Sequence, residues 1–155
     1  ILDGAESDNV DFSGINLSGA SMIGASLTGA RFLGSALNMA DMSGANLYKG
    51  NLDKAEMTGT NLSGADLTEA SMIETDISAA DIKDRDGNPT GRVWAANLTD
   101  TNFSRCNLTS ALLCGANLSG ANFNGANLRS ADLSGAAIDG ARLQGAIITE
   151  AILPS

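Results

Sequence analysis

Through most of this chain every fifth residue is large and apolar, and the residue two positions before it is almost always small. From Leu98 onward the large positions are Leu98, Phe103, Leu108, Leu113, Leu118, Phe123, Leu128, Leu133, Ile138, Leu143, Ile148 and Leu153, without a polar exception. The N-terminal part carries the same pattern one phase earlier, through Phe12, Leu17, Met22, Leu27, Phe32, Leu37, Met42, Leu47, Leu52, Met57, Leu62, Leu67, Met72, Ile77 and Ile82. All four phenylalanines are centres of this kind. A period of five fits neither the helical 3.6 nor the strand 2.0, so the chain reads as an internal repeat. Two apolar positions separated by one polar residue point to one side of an extended backbone, and the other three face water and turn the chain. Glycine two residues after many centres, as at Gly29, Gly64 and Gly120, suits a corner that needs positive φ.

The number of sides per turn follows from which centres resemble each other. Phe12 and Phe32, Met22 and Met42, and Phe103 and Phe123 are each twenty residues apart, as are Leu27, Leu47 and Leu67. Four five-residue sides then make one turn of a square coil, and like side chains stack on like. At a strand spacing of ~4.8 Å, about seven such coils give a rod roughly 35 Å long. A side this short has room for one large and one small inward side chain, which explains the run of alanines two before the centres. Only Val10 and Ile15 are bulky at that position.

The segment Gly115-Ala-Asn-Leu-Ser-Gly-Ala-Asn-Phe-Asn-Gly-Ala-Asn-Leu128 shows the unit at its cleanest, and it resembles the Ala-(Asp/Asn)-Leu-x-x consensus of the pentapeptide repeat proteins. The resemblance extends over nearly everything outside residues 1–9 and 83–92. It implies an all-β chain folded as a right-handed quadrilateral β-helix. The Ala/Asn/Leu-rich style is similar to that of cyanobacterial and plastid members.

The organisation expected along the chain is a single solenoid of residues 1–155. Residues 1–9 form an irregular first coil, since Ser7 stands where a centre belongs. A first repeat block covers 10–82, an insertion and return cover 83–95, and a second block covers 96–155. The break at Lys83-Asp-Arg-Asp-Gly-Asn-Pro-Thr-Gly-Arg92 carries Asp-Gly and Asn-Pro turn signals, so a projecting loop is expected there. Gly91 to Ala95 either forms one more repeat centred on Val93 or belongs to the insertion; the spacing is compatible with both. Apolar residues at outward positions are Ile23, Leu33, Met39, Tyr48 and Ile73.

Charge narrows the partners. The net charge is −9, with twelve acids against three bases in residues 1–82 and six of each in 83–155. This acidity argues against direct nucleic-acid binding. No apolar run approaches a membrane span, and no basic amphipathic stretch suggests a membrane surface. The chain begins at Ile1 rather than methionine, as expected of a processed or trimmed product; cytoplasm, periplasm and thylakoid lumen are all open. Cys106 replaces an inward alanine and Cys114 faces outward on another side, so the two are expected to stay unpaired.

Catalytic and ligand-binding chemistry is poorly supplied. The chain has no histidine, which removes the usual general base, the Ser-His and Cys-His dyads and the commonest transition-metal ligand. Asp84-x-Asp86-Gly87 has a calcium-loop flavour, but Ile82 and Val93 stand where an EF-hand needs ligands. The Asn-x-Ser/Thr triplets are by-products of the repeat. No enzyme activity, cofactor or metal is therefore expected.

The leading functional expectation is a non-catalytic structural or protein-interaction scaffold, because a rod with a sealed interior presents only its outside. The family resemblance adds an alternative: fluoroquinolone-resistance members resemble an acidic duplex and bind DNA gyrase. Since repeat surfaces are monotonous, the expected partner contact lies at the one long break, on Arg85, Asp86, Asn88, Arg92 and Trp94, the sole tryptophan. The competing reading has Trp94 folded back over an apolar seam opened by the insertion. Weak self-association is also expected through the C-terminal coil, where Ile147, Ile148, Ile152 and Leu153 concentrate, and sedimentation showing a strict monomer would refute it.

Overall fold

The computed structural model describes all of residues 1–155, as a coil of four short sides per turn. Parallel bridges join residues twenty apart, and one side is the ladder Glu6, Ser26, Asn46, Asp66, Asn102, Asn122 and Arg142. Two further sides carry equally complete ladders of seven rungs. Each unit bonds to both of its neighbouring coils. The Leu27 N–H donates to the Asn46 carbonyl at 2.8 Å, and the Asn46 N–H donates back to the Ala25 carbonyl at 2.9 Å. The corner closes where the Ala30 N–H donates to the Leu27 carbonyl at 3.0 Å, with φ +65° at Gly29, the signature of a type II turn. Lys49, Glu69 and Arg105 adopt the same positive φ at other coils of that corner. A non-glycine residue pays roughly 1–2 kcal/mol for this conformation. The ladder bonds on either side hold it there, so glycine is favoured at a corner without being required.

The polar residue between the two inward positions has its own structural task. Asn16, Asp41, Asn61 and Asn97 each accept, on Oδ1, the backbone N–H two residues later, at 3.0–3.2 Å. That N–H faces outward at the corner and has no ladder partner, so the Asx side chain satisfies it locally. Where serine replaces Asx at this position, the preceding coil supplies the acceptor instead. Asp53 Oδ1 takes the Ile73 N–H at 2.8 Å and the Ser71 hydroxyl at 2.6 Å, and Asp3 does the same for Ile23 and Ser21. The Asp/Asn of the repeat consensus is thus a backbone acceptor before it is a surface charge.

The interior is one continuous apolar column of centres and alanines, fully buried from Met22 to Leu128 apart from the inserted segment. Phe12 stacks on Phe32 with ring centroids 5.1 Å apart, and Phe103 on Phe123 at 4.9 Å and 4°. Four polar side chains stand in the small column, and each finds a carbonyl. Ser35 donates to Phe32 O at 2.9 Å, Thr75 to Leu52 O and Thr101 to Leu62 O at 2.7 Å, and Thr60 to Met57 O. A hydroxyl bonded to an inward-reachable carbonyl substitutes for alanine without an unpaired buried group.

Two expectations change on the structure. Residues 1–9 follow the same ladder as the rest: Leu2 N–H donates to Ser21 O, Ser7 N–H donates to Ser26 O at 2.8 Å, and Glu6 bridges Ser26. The backbone ladder does not depend on the size of the centre, so a serine there leaves the coil regular. Ile82 is not an inward centre. The ladder passes from Asn61 directly to Asn97 and from Asp76 to Leu112, thirty-six residues on, so the sixteen residues Ala80 to Ala95 stand outside the coil. Ala96 and Leu98, both fully buried, take the places that Ala80 and Ile82 would have held. Val93 is well exposed and centres no repeat. Both segments fit the five-residue pattern equally well at Ala-Asp-Ile and Ala-Asn-Leu, which is why spacing alone placed Ile82 inside.

Candidate functional site

The excluded segment is a hairpin. Strand β1, Ala80–Lys83, pairs antiparallel with β2, Pro89–Trp94, in the register Ala80 to Trp94, Asp81 to Val93 and Ile82 to Arg92, with an irregularity before Lys83. Its turn is built around Asp84. One carboxylate oxygen accepts the N–H groups of Asp86 and Asn88, both at 2.9 Å, while the Asp84 N–H donates to Asn88 O and the Gly87 N–H to Asp84 O. The Asn88 N–H, followed by those of Asp86 and Gly87, holds the Asp84 carboxyl below its ordinary range. Thr90 braces the strands by donating its hydroxyl to Ile82 O at 2.5 Å. The acidic run at 84–86 is therefore a turn whose main acceptor is spent on its own backbone.

Alternation along paired strands puts Ala80, Ile82, Arg92 and Trp94 on one face and Asp81 and Val93 on the other. The first face leans on the coil at its root. A β-carbon at Gly59 would lie 2.5 Å from Met39 Sδ, 3.1 Å from Ala80 Cβ and 3.4 Å from Trp94 Cδ1. Gly59 and Met39 occupy one corner of successive coils, so the tryptophan rests edge-on against the corner that carries them. Trp94 remains 57% exposed. Beneath it Gly59 is buried, and Leu62 and Leu98 on the adjoining coils have no exposed surface with the hairpin in place.

Of the five residues expected to form a contact, Arg92 and Trp94 share the coil-leaning face two residues apart, while Arg85, Asp86 and Asn88 sit at the distal turn. Asn88 is occupied by Asp84, its amide reaching Oδ2 at 3.4 Å. Lys83, Arg85 and Arg92 belong to no ion pair, whereas Arg31, Lys49, Lys54 and Arg105 each meet a carboxylate at 3.7 Å. Met39 and Gly59, which seat Trp94, lie outside the expected set. Met39 was legible only as an outward apolar residue, because nothing in the sequence ties it to a tryptophan fifty-five positions away.

The rest of the surface is less distinctive. Tyr48 donates its hydroxyl to Glu69 at 3.4 Å beneath Lys49, closing a small polar cluster with Arg105. Ile23, Leu33 and Leu112 are about half exposed on separate sides. Ile147, Ile148, Ile152 and Leu153 are similarly exposed on the last coil. Cys106 is buried in the core, Cys114 lies partly exposed with its thiol toward Asp132 O, and both are free. Burial pushes both thiols above their ordinary range. The coil holds no cavity, and no helix is long and apolar enough to cross a membrane.

Comparison with known proteins places this architecture. The family model for pentapeptide repeats matches eight copies, over residues 11–48, 51–84 and 96–153. No curated protein sequence matches. Among solved structures, QnrB1, a plasmid-mediated fluoroquinolone resistance protein, is 21% identical over 92% of this chain and 81% of its own, with a TM-score of 0.52. A pentapeptide repeat protein of the Arabidopsis thaliana thylakoid lumen is 24% identical over 77% of this chain and 69% of its own, with a TM-score of 0.50. HetL, from the cyanobacterium Nostoc, is 26% identical over 96% and 76%, with a TM-score of 0.38. With most of its length matched by the repeat model and its coil of the same design, the chain belongs to the pentapeptide repeat family, whose fold is the right-handed quadrilateral β-helix.

Proposed function

We propose that this protein is a non-catalytic interaction scaffold, in which the coil is a rigid support and the Ala80–Trp94 hairpin is what a protein partner grips. The observation that carries this reading is the hairpin itself, the one long departure from the repeat. It presents a half-exposed tryptophan beside Arg92, a cation with no ion-pair partner. Large aromatics and arginines dominate binding energy at protein interfaces, and here the ring is already seated against Gly59, which lowers the entropy lost on binding. A chain without histidine, with its apolar interior sealed, offers an enzyme little to work with.

The test uses the immobilised intact chain against extracts of the source organism. Trp94→Ala is expected to shift stability by less than about 1 kcal/mol, since more than half of Trp94 is exposed, and to lower retention of the specific partner at least tenfold. Excising residues 80–95 joins Ala79 to Ala96 and restores an unbroken period of twenty, so that variant should fold and also lose the partner. Undiminished capture by the excised chain would remove the hairpin from the function.

The net charge of −9 favours a second reading, a DNA-mimicking inhibitor or protector of DNA gyrase. A duplex mimic needs unbroken rows of negative charge, and here the rows are diluted: the ladder from Asp41 continues as Asn61, Asn97 and Asn117. A supercoiling assay separates the two, with no effect on gyrase expected from the scaffold.

A further inference from the structure

Of the five methionines, Met22, Met42, Met57 and Met72 are core centres with no exposed surface, and Met39 alone lies outside the core. It holds a corner at φ +60°, where the same corner carries Gly19 one coil before and Gly59 one coil after. Met39 is 46% exposed, yet its sulfur is not idle. Met39 Sδ, Ala80 Cβ and Trp94 Cδ1 all lie within 3.4 Å of one point, the place a Gly59 β-carbon would take. Met39 is thus the one methionine with solvent-exposed surface, and its sulfur packs at the root of the hairpin.

We propose that Met39 is a selective modification site for peroxide-type oxidants, and that its oxidation unseats Trp94 from the Gly59 corner. A sulfur lone pair attacks one oxygen of hydrogen peroxide and forms the S–O bond; the O–O bond breaks, the proton of the transferred oxygen passes to the departing one, the sulfur is oxidised to a sulfoxide and the peroxide is reduced to water. Selectivity follows from packing: the other four thioethers are reached only by opening the coil. The cysteines compete poorly, because Cys106 is sealed inside and Cys114 turns its sulfur toward Asp132 O, where burial holds the thiol above its ordinary range and so disfavours the reactive thiolate. The consequence follows from polarity. A sulfoxide replaces an apolar contact with a strong dipole that seeks water, at a place enclosed by the glycine backbone, the Ala80 methyl and the indole edge. Sulfoxide reductases of the thiol-dependent class would restore the contact.

The test treats the intact folded chain with hydrogen peroxide, maps the added oxygen by peptide mass, and follows acrylamide quenching of Trp94, the sole tryptophan. Met39 should gain its oxygen at least about tenfold faster than any of the other four, and the quenching constant should rise by roughly half or more as it does so. The Met39→Leu variant keeps an apolar side chain of similar volume; its quenching should not change on peroxide treatment. Comparable oxidation of the core methionines would overturn the proposal. So would quenching that stays constant or falls once Met39 is fully oxidised, or an equal response in Met39→Leu. None of these readouts depends on a partner, so the proposal stands or falls separately from the scaffold reading.

Discussion

Leu118→Asp is expected to abolish folding of at least the C-terminal half, at a cost of about 4 kcal/mol or more. Leu118 has no exposed surface, lies between Leu98 and Ile138 on its side of the coil, and donates its N–H to Ala137 O at 2.7 Å. A carboxylate there faces only the apolar column, with no cation inside to meet it. Because each coil of a solenoid is stabilised by its neighbours, the loss spreads to the coils on both sides before it is contained. The neighbouring Ser119→Asp supplies the contrast. Its side chain is on the outside, bonded to Asn117 Oδ1 at 2.8 Å, and the change should cost under about 0.5 kcal/mol. Circular dichroism melts of the two variants measure the difference, and a wild-type melt for Leu118→Asp would displace the whole register.

Gly59→Ala should cost about 2–3 kcal/mol while Gly64→Ala, one corner further along the coil, should cost roughly 1 kcal/mol. Both glycines hold φ +66°, so both variants pay the same backbone strain. They differ in what the new methyl meets. At Gly64 nothing lies within 4 Å, whereas at Gly59 the methyl overlaps Met39 Sδ and crowds Ala80 and Trp94. The sulfur can swing away, but Ala80 is the first residue of the hairpin, and moving it tilts the strands. Tryptophan emission should therefore change in Gly59→Ala and not in Gly64→Ala. Equal costs and equal emission for the two would show that the hairpin is not seated on this corner.

Most of the fold is legible in the sequence because five-residue periodicity is imposed by the cross-section itself. A centre such as Phe103 or Leu118 can point only inward, and stacking at twenty residues follows from four sides. Ile82 was misplaced because two segments satisfy the same rule. Ala80-Asp81-Ile82 and Ala96-Asn97-Leu98 are both acceptable rungs above Asn61, and only the whole-coil energetics choose the second: it leads straight into Thr101, whose hydroxyl reaches Leu62 O. Excluding 80–95 keeps every later rung in register without an extra turn. The site was half visible. Trp94 and Arg92 stand out because they break a monotonous surface, but the corner that seats them is a glycine among many glycines and a methionine far away in sequence. The role of the consensus Asp/Asn as a backbone acceptor was also hidden, since composition shows only its polarity.

Residues 80–95 stand as a hairpin outside an uninterrupted ladder, and disulfide trapping tests this placement most directly. In a Cys114→Ser background, cysteines at Ser63 and Thr99 would sit on adjacent coils, where the Gly64 N–H already donates to Thr99 O at 2.9 Å. Rungs of a ladder are ~4.8 Å apart, within disulfide reach. Under mild oxidation the Ser63/Thr99 pair should close rapidly and leave the melting temperature at or above that of the parent, while a Ser63/Lys83 pair, twenty residues apart, should remain reduced. Rapid closure of Ser63/Lys83 with Ser63/Thr99 left open would put Ile82 back inside the coil and contradict the account.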